Sequence, residues 1–544
     1  MKLNHIIYNL GLLAVMSIVS SCNEFLDEVP SRGDNEVLNR GEQVKNLFAN
    51  SNNYYTPVDF LVASTDDYGM TMDVFDALGY LDVPSLSGMS WAPEGLDVFM
   101  SDELWSKQYN KIFTANAVIN EIDNITDVTA NEKAEYIAHA HFVRALAYWE
   151  LANVYCLPYA EENLNALGLP LKVTTHTDED LTRASLKDTY AFIEADLKEA
   201  LKSPRTDVVE GERWLVSQPA AKALMARFYL FTGDYAQAAK YADEALSSQT
   251  VSLIDYNQLT TYDMDKGGGG FWGDEEFGDD EGGEGNEGEG GEGEGEEGEG
   301  DGEDWPEEGG NILTFCETYN YGSYQFVDYQ EVFYPQFYTV TATVNLLASQ
   351  ELTDLYDKDN DLRYINLFVE NGLVDYWVYG FNDVCNYHQF SSRNQWGQEM
   401  DVFLGASPTV AEMYLTKAEA LARQGSWNEA MNIIQTLRAS RFVEGSDYSL
   451  SATSQSEALT EILKERRREL PFVMRWYDIR RFAYNETAED DVELRRTFYT
   501  IENGEVDFNT VKEYVLPVKS RRYAQPILTQ EIQRSRGQMQ QNQY

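Results

Sequence analysis

Residues 219–246 read PAAKALMARFYLFTGDYAQAAKYADEAL, and the spacing inside this stretch decides the fold. An Ala-rich helical period runs up to Gly233-Asp234-Tyr235, Ala238 follows, and a second helical period continues to Leu246. Gly233 permits a tight turn, Tyr235 wedges between the two helices, and Ala238 lets them approach closely. Ala226, Tyr229 and Ala245 stand at the matching offsets of a tetratricopeptide-like hairpin. The signature returns within residues 410–441, where Gly425-Ser426-Trp427 is followed by Ala430. Two copies with the same spacing predict a body built from paired helices.

Working outward, Ala138, Phe142, Ala145, Trp149, Ala152 and Cys156 follow one another at alternating steps of four and three, which places them on one helix face. Helical periods also run over 105–122, 185–201 and 457–470. Between the two hairpins, residues 311–404 are rich in aromatic, Asn, Gln and Gly residues and predict loops and short strands, the kind of segment that carries function on a rigid scaffold. Residues 267–310 are different again. They hold 19 Gly and 19 Asp or Glu among 44 positions, without a Lys or Arg, and such a segment cannot build a core. Phe271, Trp272 and Trp305 sit near its ends, and a solvated acidic insert is expected.

The chain begins with an export signal. Lys2 precedes an apolar run from Ile6 to Val19 that closes on Val19-Ser20-Ser21 before Cys22, the pattern of a lipoprotein signal. Cleavage after residue 21 leaves Cys22 as the lipidated, anchoring residue. Asn23, Glu24, Asp27 and Glu28 follow it as an acidic stretch resembling a surface-export tag. No later segment approaches 18 consecutive apolar residues, so the protein is expected to be anchored to its membrane and not to span it. A net charge of −51, from 41 basic and 92 acidic residues, argues against nucleic acid as a partner. Cys156, Cys316 and Cys385 are odd in number and widely spaced, which offers no disulfide framework and no C-x-x-C metal motif.

Several motifs occur in order along the chain. Phe25-Leu26-Asp27 with Pro30 opens it, then come Thr65-Asp66-Asp67 and Trp105, Tyr109, Ile112 and Asn116 at W-x3-Y-x2-I-x3-N spacing. Phe142-Val143-Arg144-Ala145, Arg183 with Ser185, and Asp357 with Asp361-Leu362-Arg363 follow. Glu465-Arg466-Arg467-Arg468-Glu469-Leu470, Arg475-Trp476-Tyr477-Asp478-Ile479-Arg480-Arg481, Leu516-Pro517-Val518 and Gln541-Asn542-Gln543-Tyr544 complete the set. Together they resemble the SusD/RagB family of surface nutrient-binding lipoproteins, from Cys22 to Tyr544 apart from the insert. Val473-Met474, Lys519 and the missing Pro-Gly near the end depart from the family's usual residues. The resemblance implies a mostly α fold, a tetratricopeptide-like superhelix of helical pairs with a loop-rich ligand-binding region and a few short strands. It also implies a SusC-like TonB-dependent outer-membrane transporter as partner, an oligosaccharide or in some members a peptide as cargo, and an outer-membrane location facing the exterior. The expected organisation is a signal peptide at 1–21, a helical part at 22–266, the insert at 267–310, and a part at 311–544 forming one composite domain with 22–266.

Nothing singles out catalysis. H-E-x-x-H and G-x-S-x-G are absent, and Gly267 to Gly270 lead into carboxylates where a phosphate loop needs a Lys. His139 and His141 are two apart and point different ways on a helix. Asp357-Lys358-Asp359-Asn360-Asp361 starts like a calcium loop, but Leu362 stands where Gly belongs and Phe368 where the bidentate Glu belongs. In the Arg-rich motif, Glu465 faces Arg468 and Arg466 faces Glu469 at i,i+3, which predicts a structural ion-pair network. Neither a cofactor nor a metal is called for. The expected ligand platform is aromatic: Tyr319, Tyr321, Tyr324 and Tyr329, in a run continuing through Phe333, Tyr334 and Tyr338, with Trp91 as a further exposed ring. Such rings stack on the apolar faces of sugars. Trp105, Trp149 and Trp476 are expected in the core, and Tyr376, Trp377 and Tyr379 are open to either role. The expected function is capture of an oligosaccharide without turnover; a peptide-capturing protein and a surface glycoside hydrolase with an unrecognised acid pair are the alternatives.

Overall fold

The computed structural model describes residues 38–50, 54–78, 81–91, 103–176, 178–209, 212–258, 331–341, 346–370, 385–387, 390–393, 399–502 and 504–544. The signal segment, Cys22 and the acidic insert lie outside the described residues. In chain order, strand β1 (Tyr55–Pro57) precedes α1 (Glu103–Glu121), α2 (Ala130–Tyr155) and α3 (Leu186–Ala200). The first hairpin is α4 (Gln218–Thr232) with α5 (Tyr235–Ala245). Strands β2 (Phe337–Thr341), β3 (Phe390–Arg393) and β4 (Glu399–Gly405) lead to the second hairpin, α6 (Val410–Arg423) with α7 (Trp427–Ala439). Then come α8 (Gln455–Glu469), α9 (Val473–Phe482), β5 (Leu494–Glu502), β6 (Glu505–Leu516) and α10 (Thr529–Arg534).

Helix α2 is the axis of the body. It starts in a capping box: Thr129 Oγ1 accepts from the Glu132 N–H at 3.2 Å, and the Glu132 carboxylate accepts from the Thr129 N–H at 2.7 Å. The predicted face of Phe142, Ala145, Trp149, Ala152 and Cys156 is buried, and so is nearly every other position from Ala138 onward. The helix has neighbours all round, with α1 and α3 packed along it. Trp149 lies between Phe231 and Tyr477, both edge-on to it, with ring centroids 5.2 and 5.3 Å away.

Both helical hairpins form as their sequences predict. Ser217 caps α4 and Thr409 caps α6, each side-chain oxygen accepting a backbone N–H of the first turn. Gly233 and Gly425 close α4 and α6 with φ of +80° and +90°, a conformation that costs glycine little and other residues more. Ala238 and Ala430 are fully buried where the paired helices meet. Helix α5 packs on α6, so the two hairpins form one helical layer, and a buried Arg227–Glu412 pair (2.8 and 2.5 Å) ties α4 to α6.

The strands are few, as expected, and those that precede α6 are short. β1 runs parallel to β2 (Tyr55 opposite Phe337), while β2 and β3 flank β4 in antiparallel register. The Thr56 hydroxyl joins this sheet to α1: Gln108, Gln336 and Lys111 all lie on it, at 2.9, 3.1 and 3.2 Å. β5 and β6 form a separate long hairpin. Among the described residues no helix is long and apolar enough to cross a membrane.

Candidate functional site

The rings expected to carry ligand divide into two groups. Tyr319, Tyr321, Tyr324 and Tyr329 lie outside the described residues, as do Tyr376, Trp377 and Tyr379. Trp91 is a correction, because it is 5% exposed where an open ring was expected. An exposed ring belongs on a loop, but the residues before Trp91 are helical. The helix is Val83–Ser90, started by Asp82 accepting from the Ser85 N–H at 2.8 Å, with Pro84 in the first turn. Leu86 and Met89 pull this helix into the core. Trp91 ends it in the left-handed region (φ 49°), its indole N–H donates to the Ser64 carbonyl at 2.9 Å, and the Arg496 guanidinium lies 5.3 Å from the ring centroid. Phe333, Tyr334 and Tyr338, at the end of the aromatic run, are also core residues. Trp105, Trp149 and Trp476 are buried as expected.

The Arg-rich motif forms a buried ion-pair network with one change of partner. Glu465 binds Arg468 at 2.7 Å as predicted, and also Arg363 (2.7 Å) and Arg438 (2.6 Å). Arg466 does not pair with Glu469. It reaches Asp478 on α9 at 2.7 Å, while Glu469 meets Arg363 and Arg441, both at 2.9 Å. The i,i+3 spacing made the pair possible, but neighbouring elements offered each group a partner. Burial alone would raise the Asp66 carboxyl, yet Arg475 and Arg467 outweigh it and bring it down to about 2. Asp67 accepts from Arg467 and from the Phe472 N–H, at 2.7 and 2.8 Å. Asp361 caps Arg363 and pairs with it at 2.7 Å, so the calcium-like stretch plays a structural part. His141 binds Asp196 at 2.7 Å and His139 is buried elsewhere. Among the described residues no group of three or more His, Cys, Asp or Glu converges as a metal site.

An open cleft lies along α1. Ser106, Asn110 and Phe113, at i, i+4 and i+7, share one exposed face of that helix, while Trp105, Ile112 and Ala115 face the core. The second wall is Pro170 to Lys172 with Leu181, and the third is Glu531, Arg534, Ser535 and Met539; the enclosed volume is about 330 Å³. Phe113 is 44% exposed, and Val173, 45% exposed, stands beside the second wall.

The walls are fixed by hydrogen bonds. Tyr109 donates to the Pro170 carbonyl at 3.1 Å. The Asn116 amide donates to the Lys172 and Thr174 carbonyls at 3.1 and 3.2 Å, and its oxygen accepts from Arg144 at 2.6 Å. The Lys172 N–H donates to the Tyr148 hydroxyl at 2.6 Å. The C-terminal wall is tied in through Gln538, which accepts from the Leu181 N–H at 2.9 Å, and through Arg183, which reaches the Gln540 carbonyl at 3.0 Å. The result is a preformed cleft with one open ring, short polar side chains and a few charges, a set suited to an amphipathic ligand such as a sugar.

Phe113 sits inside the W-x3-Y-x2-I-x3-N motif, where a scaffold role is expected of every residue. The signal was present: an aromatic on the polar stripe of an amphipathic helix has no core to enter.

Two family descriptions match the chain, "Starch-binding associating with outer membrane" over residues 24–230 and "SusD family" over residues 376–544. A SusD-like protein of Bacteroides ovatus is 26% identical over 175 residues, 29% of this chain and 30% of that protein. A SusD-like protein of Formosa agariphila is 24% identical over 129 residues, 23% of each. The chain thus matches under a third of the length of these curated relatives. Among solved structures, a SusD superfamily protein from Bacteroides vulgatus superposes with a TM-score of 0.61 at 15% identity, over 93% of this chain and 99% of that one. A laminarin-binding SusD-like protein superposes with a TM-score of 0.57 at 17% identity, over 93% and 99%.

Proposed function

The chain belongs to the SusD/RagB family, and from that premise we propose that it is a cell-surface lipoprotein that captures an oligosaccharide for import. On this reading it is anchored in the outer membrane through Cys22, faces the exterior, and passes its cargo to a SusC-like TonB-dependent transporter. A structural neighbour that binds laminarin supports a saccharide as the cargo. The observation that carries the reading is the cleft beside α1, where the exposed ring of Phe113 shares a helix face with the polar tips of Ser106 and Asn110. A sugar ring lies its C–H face on such an aromatic while its hydroxyls bond to the amide and hydroxyl groups beside it. The tyrosines at 319, 321, 324 and 329 are the proposed second set of stacking rings.

Capture without turnover fits the same cleft. Among the described residues its lining carries one carboxylate, Glu531, held by Arg534 at 2.5 Å, whereas glycoside hydrolysis needs two acids across the bond. The test is binding of the mature chain to a glycan panel and to a peptide mixture, with products followed by chromatography. We expect retention of an intact glycan and a loss of about tenfold in affinity, about 1.4 kcal/mol, on Phe113→Ala. Binding of peptides alone, or release of shortened sugars, would overturn the reading.

A further inference from the structure

We propose that the cleft beside α1 takes a saccharide carrying an anionic substituent, a carboxylate or a sulfate, which Lys172 and Arg534 hold while Phe113 receives the sugar ring. This rests on the saccharide reading above and adds the class of sugar.

The charges around the cleft point this way. The chain as a whole is at −51, yet among the described residues the cleft lining carries two cations against one carboxylate. Among the described residues Lys172 has no carboxylate within 4.0 Å of its ammonium, a state it shares with Lys107, Lys187 and Lys512, but of these it is the one that lines the cleft. Glu179, a few residues on, is engaged otherwise: its carboxylate accepts from the Val173 and Thr174 N–H groups at 2.7 and 3.2 Å. Arg534 gives one nitrogen to Glu531, and with its side chain 61% exposed its other N–H groups remain open at the cleft.

Placement is as important as charge. The Lys172 backbone is pinned at both ends, its N–H on the Tyr148 hydroxyl and its carbonyl under the Asn116 amide. The side chain therefore springs from a fixed backbone in the same cleft lining as Phe113. A neutral sugar offers this ammonium only hydroxyl oxygens, while an anionic one adds the attraction of opposite charges to the hydrogen bond. Repulsion from the rest of the protein is screened over about 8 Å in physiological salt, so the nearby cations prevail at contact.

The experiment uses the mature chain, residues 22–544, in titration calorimetry with three probes of equal length: an oligogalacturonate, a sulfated galactan oligosaccharide and a neutral laminari-oligosaccharide. At 150 mM NaCl at least one anionic probe should bind about tenfold more tightly than the neutral one, and that advantage should shrink at 1 M, where screening reaches contact distance. Which anionic probe wins assigns the substituent. Lys172→Gln should remove the advantage by weakening anionic probes much more than the neutral one, while Phe113→Ala should weaken both classes alike. Equal binding of all three probes, or an advantage that survives Lys172→Gln, overturns the anionic assignment and leaves the saccharide reading standing. Failure to bind any saccharide, with peptides bound, removes both.

Discussion

Arg363 and Lys172 are both cations set against the helical body, in opposite surroundings. Arg363 is 1% exposed and has Asp361, Glu465 and Glu469 within 2.7 to 2.9 Å. Lys172 lines an open cleft, with no carboxylate in ion-pair range among the described residues. Rings divide the same way, Trp91 at 5% exposure with its N–H bonded inside, and Phe113 at 44% on a helix face. A charge taken out of water must be paired or it costs several kcal/mol, so buried arginines are committed to holding the fold. Groups left unpaired at the surface are the ones a ligand can use.

The largest effect should come from breaking the buried side of this contrast. Glu465 serves Arg363, Arg438 and Arg468 together. Glu465→Ala leaves these cations short of a partner in the core, and we expect a loss of about 3–5 kcal/mol in denaturant unfolding. A loss under about 1 kcal/mol would mean that this charge core does not hold the fold.

A smaller effect tests a buried group that has no counter-ion. Burial takes the His139 imidazole down to about 3, with the nearby Arg205 adding to the shift. Its Nδ1 accepts from the Val216 N–H at 3.3 Å, which requires the neutral ring, and Phe48 lies edge-on 4.2 Å away. In the unfolded chain the same ring takes a proton below about pH 6.5. Between those values the unfolded state binds more protons, so this group's contribution is complete above about pH 6.5 and falls as the solution is acidified. The expected slope is about 1.4 kcal/mol per pH unit, or about 2–3 kcal/mol by pH 4.5. His139→Gln should flatten stability against pH by that amount relative to the parent chain; an unchanged slope would show that His139 is protonated when folded.

The helical hairpins were legible because their signals are local. Gly233 and Gly425, the Ala positions and the cap residues act within a few residues of themselves, and 3.6-residue periodicity reports the buried face directly. The ion-pair core was legible in kind, since so many arginines beside acids must find partners, but not in detail. Arg466 chose Asp478 over Glu469 because α9 packs where it does, and helix spacing says nothing of that. Trp91 failed for a related reason. An aromatic between Ser90 and Ala92-Pro93 looks like a loop ring, and only the packing of Leu86 and Met89 shows that the residues before it are a buried helix. Phe113 was the opposite error, an exposed ring hidden inside a scaffold motif. The cleft needs three segments far apart in sequence, α1, 170–181 and 531–539, and no local pattern brings them together.

The smallest expected effect is the sharpest test of the contrast. Lys172→Gln should change unfolding free energy by no more than about 0.5 kcal/mol, since it removes no paired charge, and Phe113→Ala, whose ring is 44% exposed, should cost no more than about 1 kcal/mol. Stability matters here because a loss of binding alone has two explanations. If Phe113→Ala weakened glycan binding and also cost 2 kcal/mol or more, the ring would be packing α1 against its neighbours and the cleft would close or shift without it. If binding falls while stability holds, the ring is available to a ligand in the folded protein, as its exposed position at i+7 from Ser106 implies. Lys172→Gln applies the same reasoning to charge. The backbone of residue 172, not its ammonium, is what Tyr148 and Asn116 hold, so the wall should stay in place when the charge is removed.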